Sequence, residues 1–241
     1  MKNKIINKSF MNKGSKEDDQ IKFEPFSQWV GHYSQTLSYT AHRFFIDKGI
    51  ESPDEYRDVV QCLLSAQEGE IVELVISSYG GVLESALNIV SAIRESSAVV
   101  RAIITGSCHS AASVIALACD EVVVFDFANM LCHSATFGSF GKTTEIVSHV
   151  KFLEKYLEDV AMDVYKDFLS EKEIKEMLNG KDFWFDANQI RERLELRAQL
   201  QEKENERMVK EMKKQQKQLD AKEKTTKKVA KVVDKDPELG V

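Results

Sequence analysis

Ser110 stands where a β-branched run gives way to a run of small residues. Val99 to Thr105, apolar but for Arg101 and Thr105, ends at Gly106, and Ala111-Ala112-Ser113-Val114-Ile115-Ala116-Leu117-Ala118 follows the serine. That order reads as a buried strand, a sharp turn and a buried helix. A serine in the first turn of such a helix lies beside backbone N–H groups that have no intrahelical acceptor, at the positive end of the helix dipole. The chemistry suited to that position is nucleophilic attack that leaves an oxyanion. The plain alternative is a helix-capping serine. Ser113, three residues on, is the rival nucleophile.

Acyl transfer also needs a base, a group to orient that base, and donors aimed at the oxyanion. His133 follows Met130-Leu131-Cys132 and is the candidate base; Asp182 precedes Phe183-Trp184-Phe185 and is the candidate orienting acid. Gly80-Gly81 carries no Cβ, so its backbone can approach a ligand closely. The N–H groups of Gly81 and Ala111 are the candidate oxyanion hole. Periodicity does not say that these pieces meet. His109 adjoins the nucleophile, but a sequence neighbour rarely has the geometry of a base, and His149 reads as a surface or packing residue.

The elements that must position these residues alternate along the chain. Arg43 to Asp47, Ile71 to Ile76, Val99 to Thr105, Glu121 to Phe125 and Met130 to Cys132 read as strands. Ser52-Pro53-Asp54-Glu55 is a helix start, with a capping serine, proline at the first helical position and acids in the first turn. Tyr56, Val59, Val60, Leu63 and Leu64 then form one apolar face, and Leu83, Leu87, Val90 and Ile93 another. A long amphipathic helix is expected from Thr143 to Phe168, with an apolar stripe at three-four spacing suited to a core or a subunit interface. Ser170-Glu171-Lys172-Glu173 is a capping box, and Asn179-Gly180 a stop. The alternation predicts an α/β fold on a largely parallel sheet. Residues 1–20 read as a mobile charged arm, 21–194 as the folded domain and 195–241 as a charged tail, an exposed helix or weak coiled coil with a disordered end. The aromatics from Phe23 to Tyr39 read as a docked helix or a subunit contact.

Composition narrows the function. A net charge of -6 over 241 residues argues against a dedicated nucleic-acid binder. There is no apolar run of about 20 residues for a membrane span, and Met1 to Lys13 lacks the apolar core of a signal peptide. A cytoplasmic protein is expected, with no membrane partner. The four cysteines, Cys62, Cys108, Cys119 and Cys132, read as buried free thiols. No metal site is expected, because neither cysteines nor histidines have ligand spacing. Phe137-Gly138-Ser139-Phe140-Gly141-Lys142 lacks the second half of a phosphate-binding loop.

From Arg43 to Leu194 the chain resembles the ClpP-type serine peptidases of the wider ClpP/crotonase fold. Ile76-Ser77-Ser78-Tyr79-Gly80-Gly81 is similar to the family's I-N-S-P-G-G oxyanion turn, and Gly106-Ser107-Cys108-His109-Ser110 to its G-x-A-A-S nucleophile motif. Met130-Leu131-Cys132-His133 resembles M-I-H, and Lys181-Asp182-Phe183 resembles R-D-x-F, with Ala187 where the family favours alanine. The register prefers Ser110 over Ser113, because it keeps Gly106 four residues ahead and preserves the distance to Gly81. The departures are Tyr79 for proline, Cys108-His109 for two alanines, Arg191-Glu192-Arg193-Leu194 for G-L-[IV]-D, and the charged tail. The resemblance implies a spiral of β-β-α units with a long handle helix. It implies a serine endopeptidase that needs no cofactor, a homo-oligomeric ring, polypeptide substrates and an AAA+ unfoldase as partner. Short, tailed variants of this kind are similar to bacteriophage-encoded Clp-like and head-maturation proteases, for which a capsid or scaffold protein would be the partner. A catalytically silent structural subunit and a crotonase-type acyl-CoA enzyme are the remaining alternatives.

Overall fold

Burial along the central strands alternates because, among the described residues, helices cover one face of the sheet. The computed structural model describes residues 39–233; the expectations for residues 1–20, and for the aromatics before Tyr39, lie outside them. In chain order the elements are β1 (Ala41–Ile46), a 3-10 turn (Pro53–Tyr56), α1 (Arg57–Ser65), β2 (Ile71–Ser78), α2 (Leu83–Glu95), β3 (Val99–His109), α3 (Ala111–Ala118), β4 (Glu121–Val124), β5 (Asn129–Cys132), α4 (Thr143–Val164), α5 (Glu171–Leu178), β6 (Phe183–Asp186) and α6 (Ala187–Val233). The fold is the expected α/β architecture with a sheet and a long helix.

The sheet runs β1-β2-β3-β5-β6, with β4 also paired to β3. All pairings are parallel except β5 with β6. β4 and β5 lie end to end along one side of β3: β4 takes Arg101 to Ile104 and β5 takes Ser107 to His109. Between those two segments β3 shifts register against β2, from Ile76↔Ile104 to Ser78↔Cys108. Gly106 sits in that shift. A Cβ there would come within 2.6 Å of the Ser77 hydroxyl, so a larger residue would have to turn the Ser77 side chain aside.

Val72, Leu74 and Ile76 alternate with their neighbours, as do Val100, Ala102 and Ile104, and all six are fully buried with Leu63, Ile89 and Ile115. Each such side chain contributes about 1.5–3 kcal/mol relative to exposure. The opposite face carries a ladder of charge across β1 to β4. Arg43, Glu73, Arg101 and Glu121 are in-register partners. Arg43 and Arg101 both bond the buried Glu73 carboxylate, and Arg101 Nε also reaches Glu121 at 2.7 Å.

Several local expectations are corrected. Ser52 makes no side-chain capping bond, and Pro53 opens a 3-10 turn rather than the α-helix itself. Leu64 points outward and is 56% exposed. The long helix stops at Val164, short of Phe168, because the chain turns at Asp167 with φ +64°. The strand β6 is an additional element, and the first β-strand begins at Ala41. Cys108, Cys119 and Cys132 are buried free thiols, while Cys62 is half-buried. The helix α6 runs unbroken through Leu194 to Val233. No helix among the described residues is long and apolar enough to cross a membrane.

Candidate active site

β3 ends at His109 and α3 begins at Ala111, so Ser110 makes the whole turn between them. Its φ of +56° and ψ of −125° fall outside the regions a residue with a Cβ favours. Such a conformation costs on the order of 1–3 kcal/mol and persists only where the surroundings fix it. Here the Ser110 N–H donates to the Leu131 carbonyl of β5 at 2.8 Å. The Ser110 carbonyl accepts from the Ser113 N–H at 2.9 Å and from the Ser113 hydroxyl at 2.7 Å. The result is a strained strand-to-helix elbow that leaves the Ser110 side chain partly open to solvent.

The end of β2 closes over this elbow. Gly80 has φ +87°, and a Cβ on it would lie 2.5 Å from the His109 carbonyl oxygen, 2.8 Å from Ser110 Cβ and 3.0 Å from the Ala111 nitrogen. Gly81 is held against Ile50: a Cβ there would meet the Ile50 carbonyl at 2.0 Å. The flanking polar groups are used up in holding the turn. Ile50 N–H donates to the Gly80 carbonyl (2.9 Å), Val82 N–H to the Ile50 carbonyl (2.7 Å), and Gly80 N–H to the Ser78 hydroxyl (3.1 Å). Neither the Gly81 N–H nor the Ala111 N–H donates to another described residue. Two free backbone donors therefore flank the serine, one of them at the N-terminus of α3.

The strand register places the other two candidates. β5 and β6 pair Cys132 with Phe183, and one further step along that antiparallel ladder sets His133 opposite Asp182. β5 is itself beside the end of β3, with His109 paired to Leu131. Ser110, His133 and Asp182 thus stand at the same end of three neighbouring strands. His133 is half-buried and Asp182 exposed, and no hydrogen bond joins the three side chains. Catalytic hydrogen bonds in a free enzyme are commonly long and tighten only with substrate bound.

Ser113, the rival, is fully buried, and its hydroxyl is shared between the Ser110 carbonyl and the Tyr165 phenol at 2.9 Å. It buttresses the elbow from beneath. The nearby thiols are poor nucleophiles. Burial pushes Cys132 up to about 12 and Cys108 well above the ordinary thiol value.

One cluster beside the serine was not anticipated. His109 is 8% exposed, its Nε2 is 2.5 Å from Asn129 Oδ1, and its ring lies 5.3 Å from Tyr79 and 5.1 Å edge-on from Trp184. The imidazole is committed to that cluster. The available signal was the parity of β3, which sends residues 107 and 109 to the face opposite Cys108.

No group of three or more metal-ligating side chains gathers among the described residues. A family model described as Clp protease matches residues 29–193. No curated protein matches the chain. The chain belongs to the Clp protease family, a family of serine peptidases that act on polypeptides and generally assemble as rings.

Proposed function

We propose that this member of the Clp protease family is a serine endopeptidase acting through Ser110, His133 and Asp182. On this reading His133 takes the Ser110 hydroxyl proton as the oxygen attacks a peptide carbonyl, and Asp182 fixes the imidazole tautomer from the facing strand. The tetrahedral oxyanion rests on the Gly81 and Ala111 N–H groups. His133 then protonates the departing amine, and water repeats the sequence on the acyl-enzyme. The observation that carries this reading is the strained elbow at Ser110, packed on Gly80 between two free backbone donors.

Residues 21–194 are the peptidase domain on this reading, 1–20 an arm and 195–241 an appended tail. Most side chains from Thr143 to Tyr156 on α4 are exposed, Val147, Phe152 and Tyr156 among them, and we read this stretch as the handle that joins subunits into a ring. A ring would enclose the active sites, with specificity set by access. An AAA+ unfoldase would then feed the chamber from the cytoplasm. A second reading, a bacteriophage procapsid protease with a scaffold-binding tail, draws on the length of α6.

The test is labelling by a fluorophosphonate probe, read by intact mass and peptide mapping, on wild type, Ser110→Ala and Ser113→Ala. The reading expects the adduct on Ser110, lost in Ser110→Ala and retained in Ser113→Ala. An adduct on Ser113, or none on a folded, assembled wild type, overturns it. Removing residues 201–241 separates the two partners: labelling survives in either case, but capture of a capsid or scaffold protein is lost only in the procapsid reading.

A further inference from the structure

The helix α6 is bolted to the body over its first turns and then leaves it. Arg191 bonds the Val124 carbonyl (3.0 Å) and Asp126 (2.8 Å). Arg193 bonds the Phe168 carbonyl (2.8 Å) and Glu173, and its guanidinium lies over the Phe185 ring at 4.6 Å. Arg197 bonds the Leu117 carbonyl at the end of α3 (2.8 Å). An ion pair between Lys166 and Glu204 is one more tie. Residues 205–214 are all exposed, and the helix continues to Val233. At 1.5 Å per residue, residues 205–233 make about 43 Å of helix beyond the last of these ties. A helix with no packed face is marginal in water.

The sequence of that projecting part is sorted by heptad. With Leu194 as position d, the a and d positions from 205 onward begin Asn205, Met208, Met212, Gln215 and Leu219, and end at Val229 and Val233. Met208 is 48% and Met212 63% exposed, large values for apolar side chains. Lysine occupies every f position over five heptads: 203, 210, 217, 224 and 231. Of the eleven lysines and arginines from 203 to 231, ten fall at b, c or f, and only Lys222 lies on the seam. Positions e and g from 202 to 232 hold no basic residue at all; they carry glutamate, glutamine, threonine, valine and alanine. Chance would put about three in seven of the basic residues at b, c and f in a heptad.

That sorting identifies the occupant. A polyanion would bind the lysine face and leave the methionine seam bare. A basic partner helix would want acids along the whole flank, and the distal flank has only Glu223 beyond Glu211. A second copy of α6 meets no like-charge clash between basic residues at e and g. In parallel register it also sets Asn205 and Gln215 against their own twins, and asparagine at an a position is the residue that favours a two-stranded parallel pair. We propose that residues 201–233 pair with the same segment of a second copy of this chain as a parallel, in-register, two-stranded coiled coil. This does not depend on the peptidase reading.

The test is disulfide trapping in the full-length protein. Cys62, the half-buried native thiol, is first replaced by serine. Asn205→Cys and Lys210→Cys are then made separately and exposed to oxidised glutathione, with dimer read on non-reducing gels. Position a brings twin Cα atoms within the roughly 4.4–6.8 Å that a disulfide spans, whereas f positions lie on opposite outer faces. Asn205→Cys should cross-link at least about tenfold faster than Lys210→Cys, and adding Met208→Lys with Met212→Lys should remove that advantage. Equal rates at the two positions, no dimer at Asn205→Cys, or dimer that survives the two lysines would each overturn the pairing. Asn205, Met208, Lys210 and Met212 are exposed and Cys62 is half-buried, and circular dichroism checks that each variant keeps the packed domain intact.

Discussion

Replacing Gly80 by alanine tests whether the elbow at Ser110 is set by the approach of β2. The new Cβ would stand 2.5 Å from the His109 carbonyl oxygen and 2.8 Å from Ser110 Cβ. Ordinary contact starts at 3.4 Å, so the two atoms would have to retreat by about 0.9 Å and 0.6 Å, the differences between those distances. One is a backbone carbonyl at a strand end and the other the Cβ of the strained elbow residue, so the glycine turn moves away, and the Gly81 N–H moves with it. Alanine at φ +87° adds about 1–2 kcal/mol of strain. A misplacement near 1 Å costs on the order of 100-fold in a positioned reaction. The assay is the rate of fluorophosphonate labelling beside denaturant unfolding. We expect labelling down about 100-fold and stability down about 2 kcal/mol. Gly138→Ala is the control, since a Cβ there meets nothing within 4 Å. A folded Gly80→Ala protein labelled within about twofold of wild type would refute the reasoning.

Ser113→Ala should leave the label on Ser110 yet unfold at lower denaturant. The buried Tyr165 phenol and the Ser110 carbonyl each lose a partner, a loss of about 1–3 kcal/mol. Unchanged stability would mean that Ser113 does not support the elbow. Glu173 gives a pH dependence. Its hydrogen bonds from the Arg193 guanidinium, aided by the Ser170 backbone and hydroxyl, hold its carboxyl down to about 2 from the usual 4.5. A depressed carboxyl stabilises the fold fully above about pH 4.5 and loses that contribution as pH falls toward 2. The contribution is roughly 3 kcal/mol at neutral pH. In thermal unfolding Glu173→Gln should therefore be the weaker protein at pH 7, with the gap to wild type closing below pH 4.5; a gap constant with pH would rule the linkage out.

Much of this architecture is legible because its signals are local. The β-branched runs at residues 71–76 and 99–104 are buried strands wherever they fold, Gly106 marks a break, and Gly80-Gly81 marks one where neighbouring backbone leaves no room for a Cβ. What was not legible depends on partners distant in the chain. Phe183-Trp184-Phe185 has no period of its own. It becomes a strand because β5 offers an edge, after which Phe185 is buried against Phe168 and Trp184 faces out. The placement of Asp182 opposite His133 comes from that pairing, so no window of sequence around either residue contains it. Leu64 lies within the apolar stripe of α1 yet is exposed, while Val59 and Leu63 on the same helix are buried in the core. The helix α6 was readable from a charged stretch without glycine or proline, but its heptad seam was not, since Leu200 and the polar residues at 201 and 205 blur it.

The departures from the family's motifs at Tyr79 and His109 follow from the parity of the strands that carry them. Position 108 faces α3 and the core and is fully buried, so it tolerates only a small side chain, and cysteine is one. Position 109 faces the other way, onto the side of the sheet that no helix among the described residues covers, and there an imidazole is accommodated by Asn129 and Trp184. Tyr79 meets that same imidazole from β2, and its backbone still hands the chain to Gly80 at φ +87°. The groups that shape the candidate oxyanion site are backbone groups, fixed by the Ile50, Leu131 and Ser113 hydrogen bonds. Changing the side chains at 79 and 109 therefore alters the surface a substrate would meet while leaving those bonds in place. The two glycines admit no such latitude, because atoms of His109, Ser110 and Ala111 at Gly80, and of the Ile50 backbone at Gly81, fill the space that a Cβ would need.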